Sequence, residues 1–197
     1  TKDQVFQPIN RELLLKFKER NISVYNLHHP LDNLNRMDDL NEYSTSKTLA
    51  DRLSISIEKG FARFSGALCG VIGTDGSDVG QLRDKLSAAV DHKASLYNYG
   101  DNQIYQDKVA VIAGGGNQKQ FLEEMVEEEV YTLVTGLTIK NEHSSPAHQF
   151  AQEKGVNLLG GTHYSTEKFA CQALCNYFKE LGLEAEFIPG QPMLEDL

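Results

Sequence analysis

A chain of 197 residues with a formal net charge of −9 has room for a substantial buried core, and its acidic balance argues against nucleic acid or an anionic membrane as the main partner. Apolar residues make up 40% and charged residues 24%, the latter spread along the chain rather than blocked, as in an ordinary globular protein. No apolar run approaches the ~20 residues of a membrane helix and no secretory signal is evident, so a cytoplasmic location is expected.

Residues 8–20 place Ile9, Leu13, Leu14 and Phe17 at helical spacing, with Pro8 suited to a first turn. ISVYNL (22–27) predicts a strand, and HHPLD follows it directly. STSKTLADRLSI (44–55) predicts a helix entered through Ser44 or Ser46 as N-cap. FARFSGALCGVIG (61–73) alternates as a strand, and DVGQLRDKLSAAV (78–90) lines up Val79, Leu82, Leu86 and Val90 on one helical face. KVAVI, a glycine turn, a helix and YTLVTG then form a clear strand–helix–strand unit, in which MVEEEV reads as a solvated helix face. PAHQFAQEKGVNLLGG repeats that grammar, with a helix ending near Gly155. The chain closes with the helix TEKFACQALCNYFKELG, stopped by Gly182, and the strand EAEFI (184–188). Cys171 and Cys175, four apart in that helix, read as two buried small hydrophobes; with Cys69 they suit a reducing compartment.

This order predicts an α/β fold of mixed, largely parallel sheets flanked by helices, with two α/β subdomains around a cleft. Segments 1–58 and 136–197 are assigned to one subdomain and 59–135 to the other. The first strand is preceded only by a helix. Its crossover partner is therefore expected either as an antiparallel strand or in a segment upstream of Thr1, which is not a Met.

Chemistry-bearing residues gather at strand ends. The AGGGN turn (113–117) has the setting of an anion cradle on backbone N–H groups. It matches neither a dinucleotide fingerprint nor a P-loop, since Lys119 stands where a third glycine is needed. A tight turn or a backbone contact to phosphate both remain open. In GGTHYSTEKFA (160–170), His163 and Glu167 lie one helical turn apart, so imidazole and carboxylate converge. That pair suits Zn, Mn, Fe or Co. His28 and Asp32 repeat the spacing, and the two pairs are expected to face one cleft at the carboxyl ends of the strands. His143 and His148, just after YTLVTG, are either exposed loop residues or a base reaching the same rim. His92 has no evident partner, and no Gly-x-Ser-x-Gly elbow is present.

GGTHYSTEKFA resembles the C-terminal signature of the proteins called GTP cyclohydrolase I type 2, or the Ngg-interacting-factor-like family. ISVYNLHHPLDNL resembles their internal His-x-x-Leu-Asp motif, and VAVIAGGG and YTLVTG fit the intervening elements. The resemblance covers nearly the whole chain. It implies a homohexameric ring with two divalent ions per subunit (Zn, Fe, Mn, Co or Mg), held by His28, Asp32, His163 and Glu167. It further implies a metal-dependent hydrolase acting on a nucleotide such as GTP or another phosphate-containing small molecule. For a hydrolase built on such a centre, His143 and His148 are the candidates for proton transfer. The alternative is a non-catalytic hexameric metal-binding scaffold that contacts other proteins. The family's second His motif, often His-His-Pro some tens of residues before the internal one, has no counterpart upstream of His28. An N-terminal segment carrying it is therefore expected beyond Thr1, and His29 is read as a lining residue rather than a ligand.

Overall fold

Three short strands turn successive side chains toward two separate apolar layers. In β4 (Lys108–Ile112), Val109 and Val111 enter one layer, Ala110 and Ile112 the other. β5 (Thr132–Thr135) divides Val134 from Leu133 in the same way, and β6 (Asn157–Gly160) divides Leu159 from Leu158. Strands buried on both faces require helices on both sides. One layer is filled by α3 (Thr45–Arg52), α4 (Val79–Val90) and α7 (His163–Glu180) through Leu49, Leu82, Leu86 and Phe169. The other is filled by α5 (Lys119–Glu127) and α6 (Ser145–Lys154) through Phe121, Leu122, Met125 and Ala151. Each large side chain removed from water in this way contributes roughly 1.5–3 kcal/mol.

The computed structural model describes residues 9–34 and 42–197. With β1 (Ser56–Phe64), β2 (Ala67–Thr74) and β3 (Ser95–Tyr97), its strands form one six-stranded sheet in the order β1-β2-β4-β5-β6-β3. The sheet runs without a break across the 58/59 and 135/136 boundaries. Parallel pairing is confined to β4–β5 and β5–β6; β1–β2, β2–β4 and β3–β6 are antiparallel. The fold is thus mixed α/β, with the parallel part at its centre rather than throughout.

Local chemistry explains where the expected elements differ. The single strand expected over 61–73 is a hairpin, because Ser65 and Gly66 both take positive φ (49° and 87°), the two-residue turn that matches strand twist. α4 begins at a capping box in which Asp78 and Gln81 exchange side-chain hydrogen bonds with backbone N–H groups. Neither ISVYNL nor EAEFI forms a strand. Their alternation is strand-like, but among the described residues no partner pairs with them, and Val24, Tyr25 and Ile188 are 52%, 83% and 84% exposed. α1 (Arg11–Glu19) has no buried residue, and Pro8, assigned to its entry, lies outside the described residues. Cys171 is exposed and Cys175 half-buried, correcting the expectation that both are buried. The buried residues of α7 are confined to its first turns, at Ser165, Thr166, Phe169 and Ala170. Among the described residues no helix is long and apolar enough to cross a membrane.

Candidate metal centre

The parallel strands β4, β5 and β6 deliver their carboxyl ends to one rim, and the site is built there. After β6, Gly161 and Thr162 turn the chain into α7; Thr162, at φ 60°, caps the helix by accepting from Ser165 N at 3.2 Å. His163 opens α7 and Glu167 follows one turn later, bringing Nε2 and Oε1 to 2.9 Å. The His163 backbone amide donates to the Asp196 carboxylate at 2.9 Å. Asp196 is fixed in turn, because the Thr138 and Ile139 amides both donate to its carbonyl at 2.9 Å.

The glycine turn after β4 closes on this pair. Gly114 has φ +68°, its amide donates to Thr166 Oγ1 at 3.0 Å, and its carbonyl accepts from the Gly136 and Leu137 amides at 3.0 Å. A Cβ at Gly114 would overlap Glu167 Oε1 and stand 2.8 Å from His163 Nε2. Glycine is needed here both for the backbone conformation and for the approach.

The second pair arrives from the other side. α2 (His28–Asp32) is a single helical turn, tethered beyond its end by Leu34, whose amide donates to Leu68 O of β2 at 2.8 Å. Thr45, at the start of α3, donates its hydroxyl to Asp32 Oδ1 at 3.0 Å, and His28 Nε2 stands 3.7 Å from Asp32 Oδ2. Thus His28, Asp32, His163 and Glu167 line one cavity of about 170 Å³, with Phe64, Ile112 and Phe121 as its apolar wall.

Electrostatics favour a cation in that cavity. Burial, together with the facing Glu167 charge, pushes the Asp32 carboxyl above its ordinary range, against the Thr45 hydroxyl, His28 and His29. The hydrogen bond to Glu167 raises the His163 imidazole against its burial, with the charges of Glu167, Asp196 and Asp32 acting the same way. Burial pushes the Cys69 thiol on the cavity wall up to about 12, helped by Asp32 and Glu124, so it stands as a neutral wall group. Two carboxylates and two imidazoles converging on one space form an N/O donor set that fits first-row divalent ions. A dication would also relieve the repulsion between Asp32 and Glu167.

The other two histidines lie elsewhere. His143 is exposed and lines an adjoining groove of about 800 Å³ with Lys119 and Asn141; that groove shares Gly115 and Gln118 with the cavity of His163 and Glu167. His148 is only 5% exposed. Its Nε2 bonds the Thr138 carbonyl at 2.9 Å and its Nδ1 the Tyr99 hydroxyl at 3.1 Å. Since a carbonyl only accepts, Nε2 carries the proton and Nδ1 accepts from Tyr99. Burial lowers the His148 pKa, which keeps the ring neutral. His92 pairs with Ser165 Oγ at 3.1 Å, a partner that local sequence does not reveal. Gly114, Thr45 and Asp196 shape the site without having been singled out for it. The strand–glycine turn and the helix start are readable for two of them, whereas nothing local marks Asp196.

The sequence matches the Duf34/NIF3 (NGG1p interacting factor 3) family over residues 2–192. A GTP cyclohydrolase 1 type 2 homolog of Borreliella burgdorferi is 30% identical over 171 residues, 86% of this chain and 62% of that protein. A GTP cyclohydrolase 1 type 2 homolog of Archaeoglobus fulgidus is 28% identical over 171 residues, 85% of this chain and again 62% of the relative. The chain thus spans less than two thirds of the length of these curated relatives. Among solved structures, protein ybgI, described as of unknown function, aligns with a TM-score of 0.76 at 21% identity, covering 97% of this chain and 71% of that one; the likeness is one of fold.

Proposed function

Because the chain belongs to the Duf34/NIF3 family, we propose that it binds two divalent metal ions per subunit and acts as a metal-dependent hydrolase on a nucleotide or another phosphate-containing small molecule. The observation carrying this reading is the convergence of His28 and Asp32, from one end of the chain, with His163 and Glu167, from the other, on a single cavity. Bound ions would supply Lewis acidity toward substrate oxygens and toward water. The chain's own residues do the rest. His28 and His163 offer ring nitrogens, while Asp32 and Glu167 each have two oxygens and are suited to bridging. For His163 to serve as a ligand through Nε2, its contact with Glu167 at that atom would have to give way. Ile112 and Phe121, both buried, and the partly exposed Phe64 give the cavity one apolar wall.

The groove beside the cavity supports the placement of substrate. Lys119 and His143 line it, offering positive charge or a proton to phosphate oxygens. His143, exposed and adjacent, is the better placed of the two histidines for proton transfer; both nitrogens of His148 are already engaged. GTP is the first substrate to test, given the names of the curated relatives. The decisive experiment combines metal content by mass spectrometry with turnover of GTP and a panel of phosphate esters, for the wild type and Glu167→Ala. Metal-dependent turnover lost in Glu167→Ala supports the reading; turnover indifferent to that substitution, or metal-free folded protein, sinks it.

A second reading is a homohexameric, non-catalytic metal-binding scaffold. It is favoured by the exposed apolar residues Leu13, Leu14 and Leu15 of α1 together with Ile22 and Val24, which are 43–52% exposed and suited to contacts between chains. Metal bound without turnover, in an assembly broken by Leu14→Glu, selects this reading.

A further inference from the structure

We infer that His29 is itself a metal ligand, so that the single turn of α2 carries a two-imidazole, one-carboxylate donor set for one ion. The inference rests on the metal-binding reading above and assigns ligation to a residue that the sequence suggests only as a lining group.

Ligand atoms of His28, His29 and Asp32 all lie within 4.8 Å of one another, the one such group of three among the described residues. Neighbouring side chains on a helix normally diverge by ~100°. Here the two rings nevertheless lie 4.6 Å apart, tilted by 39°. The His29 ring also lies 5.7 Å from the Phe64 ring, tilted by 34°, and Phe64 is a wall of the cavity. No hydrogen bond from a described residue engages either ring of α2, whereas the His148 ring is held at both nitrogens. The Asp32 carboxyl feels both His28 and His29, which places the three groups within one another's electrostatic reach.

Donor counting points the same way. Each first-row ion takes about four or more donors. Among the described residues, His28 and Asp32 on one side and His163 and Glu167 on the other give one imidazole and one carboxylate each, which leaves room for a further donor on the α2 side. With His29 the α2 side has two nitrogens and a carboxylate, and the α7 side has one nitrogen and a carboxylate. Two imidazoles and one carboxylate with open positions suit Fe(II), and also Zn(II), Co(II) or Mn(II). The two sites are therefore unequal, the α2 site binding more tightly.

The test is titration of the intact chain with Co(II), read by calorimetry and by the visible d–d spectrum, for the wild type, His29→Ala and His29→Gln. Circular dichroism of each variant checks folding, which substitution of the exposed His29 should leave intact. The expected result is that both substitutions abolish the tighter phase or weaken it at least about tenfold, with a matching spectral shift, while the weaker phase persists. Wild-type affinity, stoichiometry and spectrum in His29→Ala would overturn the inference and leave the metal-binding reading standing. Failure of the wild type itself to bind Co(II) would overturn both.

Discussion

The backbone amide of His163 donates to the carboxylate of Asp196 at 2.9 Å, so a residue near the end of the described chain holds the first turn of the helix that carries His163 and Glu167. Asp196→Ala should cost about 1 kcal/mol, the usual net worth of one intramolecular hydrogen bond. It should also weaken metal binding about tenfold, because His163 loses the contact that orients its turn. Urea unfolding and Co(II) calorimetry read the two effects separately. Asp196→Asn, which keeps an acceptor oxygen, should recover most of the stability. Equal affinity in all three proteins would remove Asp196 from the site's support.

Two adjacent glycines are predicted to behave very differently. Gly114→Ala meets a left-handed backbone, worth ~1–2 kcal/mol. It also overlaps Glu167, and overpacking costs about 1–3 kcal/mol. Gly115 has no atom closer than 3.9 Å to an added Cβ, so Gly115→Ala should be nearly silent. Thermal denaturation and metal titration of both variants check this, and similar losses at the two positions would contradict it.

His148 and His143 separate in the same manner. Truncating the buried His148 leaves the Thr138 carbonyl and Tyr99 hydroxyl without their partner, so His148→Ala should lose about 2–3 kcal/mol. His143→Ala, at an exposed ring, should change stability by less than ~0.5 kcal/mol and act on turnover instead. A stable His148→Ala would show that its two hydrogen bonds are dispensable.

Asp75 offers a pH signature away from the metal. Burial alone would raise this carboxyl, but hydrogen bonds from Lys85 at 2.8 Å and from Ser77 outweigh it and hold the value below the ordinary range. A depressed folded value means stabilisation that is present above the unfolded pKa, about 4, and lost as pH falls through the folded one. Lys85→Met leaves a buried carboxylate without its cation, so the variant should be weaker by roughly 1–3 kcal/mol at pH 7. That gap should close as the carboxyl protonates. Urea midpoints between pH 7 and pH 3 measure it, and a gap constant with pH would rule out the pair as its source.

The elements that the sequence makes legible are those with a dense local signal. The Val79, Leu82, Leu86 and Val90 stripe, the β4 glycine turn, and the stop at Gly182 all stand in the structure where spacing puts them. The four-spaced pairs were visible for a simple reason: one helical turn is a local geometry. What joins them is not local. Leu34 on Leu68, Thr45 on Asp32, and Asp196 on His163 are contacts between distant segments that leave no periodic trace. ISVYNL and EAEFI fail for the opposite reason. Alternation in a short run states a preference for extended backbone, and a strand forms only when a neighbouring strand accepts it. The Ser65–Gly66 turn was readable from its dipeptide, but the apolar alternation on either side masked it.

Since α2 lies near one end of the described chain and α7 with Asp196 near the other, the cavity exists only after almost every intervening residue has found its place. An ion held by both pairs, as proposed, would close a loop nearly as long as the protein. The share of its binding energy that needs both pairs would be withheld from every partly folded state. At an ion concentration of 100 times Kd, that linkage would add up to ~2.7 kcal/mol to global stability. A chelator added to such a protein would act as a mild denaturant of the whole domain, and hydrogen exchange would rise in the β4–β5–β6 core as readily as at the rim.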